Sequence, residues 1–337
     1  MKALIIGGTG TISTDVVALA LARGWEITLL NRGQKKIPVG VRSIIADIQD
    51  EKVVAKAIAT DHFDVVAQFI GYTASDVERD IRLFRQKTKQ YIYISSASAY
   101  QKPVADYRIT ESTPLANPYW QYSRQKIAAE EVLMEAYRME GFPVTIVRPS
   151  HTYNGTKALV NLHGNHGNWQ ILQRMLDGKP VIIPGDGSSL WTLTHSKDFA
   201  KGYVGLMANP HAIGHAFHIT SDESMTWNQI YELIADALGT SLNPLYVASA
   251  FLAKHQGKYD FTGELFGDKS ATVVFDNSKI KRLVPDFVCS ISMADGLRQA
   301  VEYMLNHSVT QVLDLEFDLW CDRIVQSQLA ADRAMNQ

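Results

Sequence analysis

Cysteine is nearly absent. The chain of 337 residues carries two, Cys289 and Cys321, which excludes a disulfide framework and offers no cysteine pattern for a metal; no metal site is expected. Long apolar runs are missing too. None approaches the roughly 18–20 residues that span a bilayer, so no membrane partner is expected. An excess of charge of one sign is also lacking: Lys+Arg is 33 and Asp+Glu 35, a formal net charge of −2. Without a concentration of Lys and Arg there is little to hold phosphates, and a nucleic-acid partner is not expected. Internal repeats and low-complexity linkers are lacking. The opening Met-Lys-Ala-Leu-Ile-Ile has neither a long apolar core nor a cleavage site, so it reads as a first strand and not as a signal peptide. A cytoplasmic, reducing environment is the resulting expectation.

What is present is ordinary for a globular protein: 46 % hydrophobic and 20 % charged residues. Over the first 150 residues, short apolar runs at 3–6, 26–30, 43–46, 65–70, 91–95 and 144–147 read as strands buried on both faces. Helical stretches at 15–23, 51–60 and 75–86 lie between them. Such alternation implies βαβ units and a parallel sheet. After Arg148-Pro149 the pattern changes. Residues 154–167 read as a loop rich in Asn, Gly and His. Helices are expected at 169–176 and 227–238, strands at 180–183 and 215–219, and a terminal helix packing on the body.

The first strand ends in Gly7-Gly8-Thr9-Gly10-Thr11-Ile12-Ser13, and a helix opens near Asp15. Glycines allow a tight turn and let backbone N–H groups approach a pyrophosphate, while the helix N-terminus adds partial positive charge. Ser13 stands where a third glycine is usual. The position, directly after a strand and before a helix, favours a dinucleotide site over a bare glycine turn. Gly7, Gly10, Thr11 and Ile12 are the candidate contacts. The second strand ends at Asn31-Arg32, with Lys35 and Lys36 close behind. An acid there would grip the ribose of NAD; Asn31 is neutral and Arg32 cationic, which favours NADP over NAD. Asp47-Ile48, ending the third strand, could meet the adenine. The expected architecture is α/β: a Rossmann-type doubly wound parallel sheet over residues 1–153, with a segment near 190–220 returning to it, and a smaller C-terminal α/β substrate lobe over 154–337.

Two Tyr-x-x-x-Lys pairs occur. Tyr153-Asn154-Gly155-Thr156-Lys157 contains a turn signal. Tyr122-Ser-Arg-Gln-Lys126 runs into Ile-Ala-Ala-Glu-Glu-Val-Leu-Met, which is strongly helix-forming, so Tyr122 and Lys126 share a face. An ammonium there is expected to lower the tyrosine pKa and make Tyr122 an acid/base group; an exposed surface pair is the plain alternative. Upstream, Tyr91-Ile-Tyr-Ile-Ser95-Ser96-Ala97-Ser98 is a strand ending in hydroxyls at the edge of the sheet where ligands bind.

Taken together, the glycine loop, Ile94-Ser95-Ser96, Tyr122-x-x-x-Lys126 and Arg148-Pro149 resemble the extended short-chain dehydrogenase/reductase superfamily and, within it, the NAD-dependent epimerase/dehydratase family. Gly185-Asp186-Gly187-Ser188 followed by Thr194-His195-Ser196-Lys197-Asp198 is similar to a C-terminal segment of that family. The resemblance covers roughly residues 1–305. It implies a catalytic Ser96, Tyr122 and Lys126, with Lys126 also binding the nicotinamide ribose, and an NAD(P)-dependent oxidoreductase or epimerase acting on a sugar or sugar nucleotide. Pro149 joins the cofactor contacts; Ser98, His151 and Trp191 are the substrate contacts. His195 and Asp198 are scaffold positions.

The chain departs from the pattern twice. Ala97 and Ser98 stand where 4,6-dehydratases carry an Asp-Glu pair, so that reaction is not expected. Trp191 stands where nucleotide-sugar enzymes carry a diphosphate-binding Arg, so a free or otherwise substituted sugar is expected, with Lys254, Lys258 and Lys269 as other cations of the lobe. A non-catalytic cofactor sensor and an RNA-binding protein like the chloroplast stem-loop-binding branch are the competing classes. The intact triad argues against the first and the balanced charge against the second. A homodimer is left open.

Overall fold

The computed structural model describes residues 1–336. Seven short apolar strands make the central sheet: β1 (Lys2–Ile6), β2 (Glu26–Asn31), β3 (Arg42–Ile45), β4 (Val65–Gln68), β5 (Tyr91–Ile94), β6 (Val144–Pro149) and β7 (Ala216–Ile219). Their order is β7-β6-β5-β4-β1-β2-β3, and every neighbouring pair is parallel. Residues of β4, β5 and β6 are buried throughout, as expected of strands covered on both faces. This is the α/β doubly wound arrangement that the strand–helix alternation implied. Strand order reverses between β1 and β4, and a crevice opens there beyond the carboxyl ends of the strands.

Helices α1 (Ser13–Ala22), α2 (Glu51–Ala57), α3 (Ala74–Phe84), α4 (Gln121–Glu140), α5 (Trp169–Leu176), α6 (Ser196–Leu206) and α7 (Trp227–Leu238) follow in chain order. Val16, Val17 and Ala20 of α1 pack with Phe199, Tyr203 and Val204 of α6 on one face of the sheet. Val54 of α2, Val77 and Phe84 of α3, and Ala129 and Leu133 of α4 cover the other. A reciprocal Thr73–Asp76 cap starts α3, and Gly141, in the left-handed region, ends α4. Helix α1 begins two residues earlier than the sequence suggested, and α2 stops at Ala57, where Ile58 leaves helical geometry.

Residues 196–219 supply α6 and β7, so the sheet is finished by chain that has already passed through the C-terminal lobe. That lobe has its own core. Ile171 and Leu172 of α5, Trp227 and Tyr231 of α7, Leu297, Val301 and Phe317 pack together. Buried Arg174 ties the terminal helix Leu315–Met335 to α5 through Asp318 at 2.5 Å and Asp322 at 2.7 Å. A short parallel pair, His151–Tyr153 with Leu193–His195, joins the lobe to the end of β6. Among the described residues no helix is long and apolar enough to cross a membrane.

Candidate active site

Two cavities open along the carboxyl edge of the sheet. The first, of about 520 Å³, is lined by Gly7, Thr9, Gly10, Asn31, Arg32, Lys35, Asp47, Ile48, Ile70, Tyr72 and Asp76 among others. Gly7 has φ +79°, and a Cβ there would stand 2.5 Å from Ile70 Cγ2, so only glycine fits this turn. Ser13 fastens the loop: its Oγ donates to the Gly7 carbonyl at 2.7 Å and accepts from Gly10 N at 2.9 Å. Lys35 reaches across to the Thr9 carbonyl at 2.9 Å. The Asn31 side-chain amide nitrogen is buried without a partner, a donor that this cavity leaves for a ligand. Glycine walls, cations at one end and an unspent buried donor fit a dinucleotide.

The second cavity, of about 280 Å³, is lined by Ser96, Ser98, Tyr122, Pro149, His151 and Trp191, together with Lys102, Trp120, His163, Asp268, Lys269 and Phe275. Ser96 closes β5 and starts a single 3₁₀ turn. Its Oγ accepts from Ser98 N at 3.1 Å and lies 2.8 Å from Ser98 Oγ, which itself accepts from Ser123 Oγ at 2.8 Å. With Ser98 donating onward, the Ser96 proton is available to the Tyr122 oxygen beside it.

Lys126 is buried between the cavities. It donates to the carbonyls of Gly71 at 2.7 Å and Ile94 at 2.8 Å, with its Nζ 4.8 Å from the Tyr72 ring centre and 5.8 Å from that of Tyr122. Tyr72 lines the first cavity and Tyr122 the second, 6.4 Å apart between ring centres.

One sequence expectation is overturned here. The Tyr122 phenol is not brought down by Lys126. Burial pushes it up to about 12, with the Ser96 hydroxyl pulling the other way. Lys126 instead spends two donors on backbone carbonyls, and burial brings its ammonium down to about 7. The other expected contacts fall in several places. Thr11 and Ile12 do not line the first cavity, because the chain there already turns into α1 and Ile12 packs under it. Pro149 lies in the wall of the second cavity instead of the first. Of the lobe cations, Lys269 lines the second cavity, paired with Glu264 at 2.8 Å, whereas Lys258 pairs with Glu316 at the surface. Asp47 lines its cavity while its carboxylate accepts from Gln49 N. Trp191 is 2 % exposed, stacks on Trp227 with ring centres 5.6 Å apart, and still walls the second cavity. His195 caps α6, and Asp198 accepts from Ser290 N and Ile291 N at 3.1 and 2.9 Å, both structural duties.

Sequence reasoning missed Ile70, Tyr72 and Asp76, although the strand-end rule that marked Asn31 and Asp47 applies equally after β4. It also missed Lys102, Trp120 and Asp268, which long loops bring in and no local pattern marks.

Comparisons with known proteins bear on the family and the fold. The NAD dependent epimerase/dehydratase family model matches residues 3–220. A 2'-dehydrokanamycin reductase of Streptomyces kanamyceticus is 26 % identical over 85 % of this chain and 80 % of its own. The chloroplast stem-loop binding protein of 41 kDa b of Arabidopsis thaliana is 26 % identical over 71 % of this chain and 63 % of its own. A UDP-glucuronic acid 4-epimerase from Bacillus cereus, solved with UDP-glucuronic acid and NAD, superposes with a TM-score of 0.71 at 18 % identity, covering 91 % of this chain and 99 % of that one. The matched segment carries the seven-stranded sheet, the whole lining of the first cavity, and Ser96, Tyr122 and Lys126, and the chain belongs to the NAD-dependent epimerase/dehydratase family.

Proposed function

We propose that the protein is an NAD(P)-dependent oxidoreductase acting on a sugar carbonyl or hydroxyl through Ser96, Tyr122 and Lys126, with NADP as the preferred cofactor. The observation that carries this reading is the junction of the two cavities, where Lys126 lies between Tyr72 on one side and Tyr122 on the other. Gly7, Gly10, Asn31, Arg32, Lys35, Asp47 and Ile48 would hold the dinucleotide. The nicotinamide ring, when bound, supplies or accepts hydride at the substrate carbon.

The chain's own residues handle the proton. A phenol pushed up to about 12 keeps its proton at neutral pH, so Tyr122 is set to donate to an oxygen that gains charge, the requirement of carbonyl reduction. Ser96 directs its hydroxyl proton at the same oxygen. Arg32 and Lys35 beside a neutral Asn31 support the NADP preference, since a 2′-phosphate meets a guanidinium well. The aromatic walls Trp120, Trp191 and Phe275 suit a sugar ring, and no arginine lines the cavity among the described residues, which favours a free sugar over a nucleotide-linked one. Ala97 and Ser98 beside Ser96 offer no acid–base pair for water elimination, which favours simple reduction or epimerisation over dehydration. The similarity to a reductase of an oxidised aminoglycoside points the same way.

The test is turnover of a carbonyl sugar. The purified protein is given NADPH or NADH with 2'-dehydrokanamycin, or NADP⁺ or NAD⁺ with kanamycin, D-glucose and UDP-glucose. Cofactor oxidation or reduction that disappears in Tyr122→Phe supports the reading. Tight cofactor binding with no turnover on any of these would favour a sensor instead.

A further inference from the structure

The second cavity holds several polar groups, and most of them are already committed. Lys269 pairs with Glu264. His163 Nδ1 donates to the Gly164 carbonyl at 2.8 Å, and His151 Nδ1 accepts from Trp191 Nε1 at 3.3 Å. Ser98 is held between Ser96 and Ser123. Two groups stand out as unspent. Lys102 is 5 % exposed, yet its ammonium makes a single contact, a long one of 3.4 Å to the backbone carbonyl of Asp268. An ammonium has three donors, and burying them unused is costly. The Asp268 carboxylate lines the same cavity and finds no hydrogen-bond donor among the described residues.

Both groups are held in the wall of the cavity that Ser96 and Tyr122 also line. Lys102 follows a loop whose backbone is pinned by Gln101 N to the Pro114 carbonyl and Lys102 N to the Ala116 carbonyl, 2.8 and 2.7 Å. Asp268 sits on a π-helical turn, Thr262–Lys269, a rare geometry that recurs at functional sites. Gly263 and Gly267 let that turn press on Trp120: a Cβ would stand 2.3 and 2.7 Å from Trp120 atoms. Trp120 in turn lies 4.9 Å from Tyr122 between ring centres. Asn117 Nδ2 donates at 2.7 Å both to the Gly267 carbonyl and to the Ser98 carbonyl, tying the π turn to the serine edge.

We propose that Lys102 and Asp268 are the substrate-orienting pair of this cavity, and that they grip two adjacent hydroxyls of an uncharged sugar ring. Lys102 donates to one hydroxyl oxygen, and Asp268 accepts the proton of the next. A vicinal diol supplies both functions side by side. An anionic ligand group would face Asp268 and a cationic one Lys102, so the ring portion that enters carries neither. The inference rests on the sugar-oxidoreductase reading above. Burial pushes the Asp268 carboxyl up to about 6 against the pull of Lys102 and Lys269, with Glu264 adding to the push. Its charged, stronger acceptor therefore gives way to a neutral carboxyl as pH falls through 6.

The experiment uses the full chain with NADP⁺ and three probes whose sugar ring is uncharged: D-glucose, D-galactose and UDP-glucose. Wild type is compared with Asp268→Asn and Lys102→Met, and with Lys102→Arg as a charge-keeping control. For a probe that wild type oxidises, KM is expected to rise about tenfold or more in Asp268→Asn and Lys102→Met, as for loss of a hydrogen bond to a charged group. NADP affinity should stay within about twofold, and kcat should change far less than KM. The acid limb of kcat/KM near pH 6 should vanish in Asp268→Asn. Unchanged KM in both variants would overturn the pair while leaving the oxidoreductase reading standing. Failure of wild type to oxidise any of the probes would remove that reading and the pair with it.

Discussion

Trp191 Nε1 donates to His151 Nδ1 at 3.3 Å, in the wall of the cavity that holds Ser96 and Tyr122. Burial keeps His151 well below its usual range and hence neutral, and the bond from Trp191 places its remaining proton on Nε2. Neither partner carries charge, at a position where nucleotide-sugar enzymes resembling this chain use arginine. UDP-glucose is therefore expected to bind the NADP-loaded protein no more than about tenfold tighter than D-glucose, because the diphosphate gains no bidentate cation. Isothermal titration of both ligands checks this. A hundredfold preference for UDP-glucose, abolished by competing UDP, would refute it.

Gly10 lines the first cavity, and a Cβ placed on it meets only Ser13 Oγ at 3.3 Å and the Gly7 carbonyl at 3.8 Å. A side chain there needs Ser13 Oγ to give by only a few tenths of an ångström, whereas it would project into the cavity proposed for the dinucleotide. Gly10→Asp is expected to abolish NADP binding, by placing a carboxylate against the pyrophosphate, while shifting the thermal midpoint by only a few degrees. Calorimetric affinity equal to wild type would dismiss the loop as the cofactor site.

Arg32 and Lys35 both line the cavity, but Lys35 is engaged with the Thr9 carbonyl. Arg32, which has no side-chain partner among the described residues, is the group that would meet the 2′-phosphate under the proposed NADP preference. Arg32→Ala is expected to lower the NADP/NAD affinity ratio by about 10- to 150-fold, corresponding to roughly 1.5–3 kcal/mol for a charge-assisted bond. Fluorescence titration with both reduced cofactors reads the ratio directly, and an unaltered ratio would assign the preference elsewhere.

The sheet was legible because its strands are short apolar runs, and four of them run into a residue that chemistry marks: Gly7, Asn31, Asp47, Ser96. Strand ends and fold share one cause, the parallel sheet, so one pattern exposes both. Tyr122 and Lys126 were legible because an i,i+4 pair on a strong helix has a forced geometry. Their charges were not legible, since a pKa depends on what buries the group. Lys126 looked like a free ammonium beside a phenol; the Gly71 and Ile94 carbonyls that capture it come from two other strand ends. Lys102 and Asp268 left no trace because residues 166 apart in sequence meet only through a π turn and a pinned loop.

Tyr122 holds its proton at neutral pH and faces the same cavity as Ser96. Tyr122→Phe removes the oxygen but keeps the ring that packs on Trp120 and Tyr72. Turnover of whichever sugar the wild type accepts should fall by about 10²–10⁴-fold, the usual size of a proton-transfer contribution. Cofactor affinity should change little. A Phe variant at near wild-type rate would mean that another group supplies the proton.

Lys126 makes stability depend on pH in a way that can be isolated. An ordinary lysine titrates at 10.5, whereas burial brings this one down to about 7 in the folded protein, against the pull of Glu130 and Asp76. Below pH 7 both folded and unfolded chains carry the ammonium, and the folded state bears the full cost of burying it. Between 7 and 10.5 the unfolded chain still binds a proton that the folded protein has shed, so stability rises with pH across that window. Lys126→Met removes this titration and leaves the others in place. The difference in unfolding free energy, wild type minus Lys126→Met, is therefore expected to increase steadily as pH rises from about 7 to 10. Urea denaturation of both proteins without cofactor, at several pH values in that range, measures it. A difference that stays flat or falls would show that the ammonium remains charged where it lies, held by the Gly71 and Ile94 carbonyls more strongly than burial opposes it.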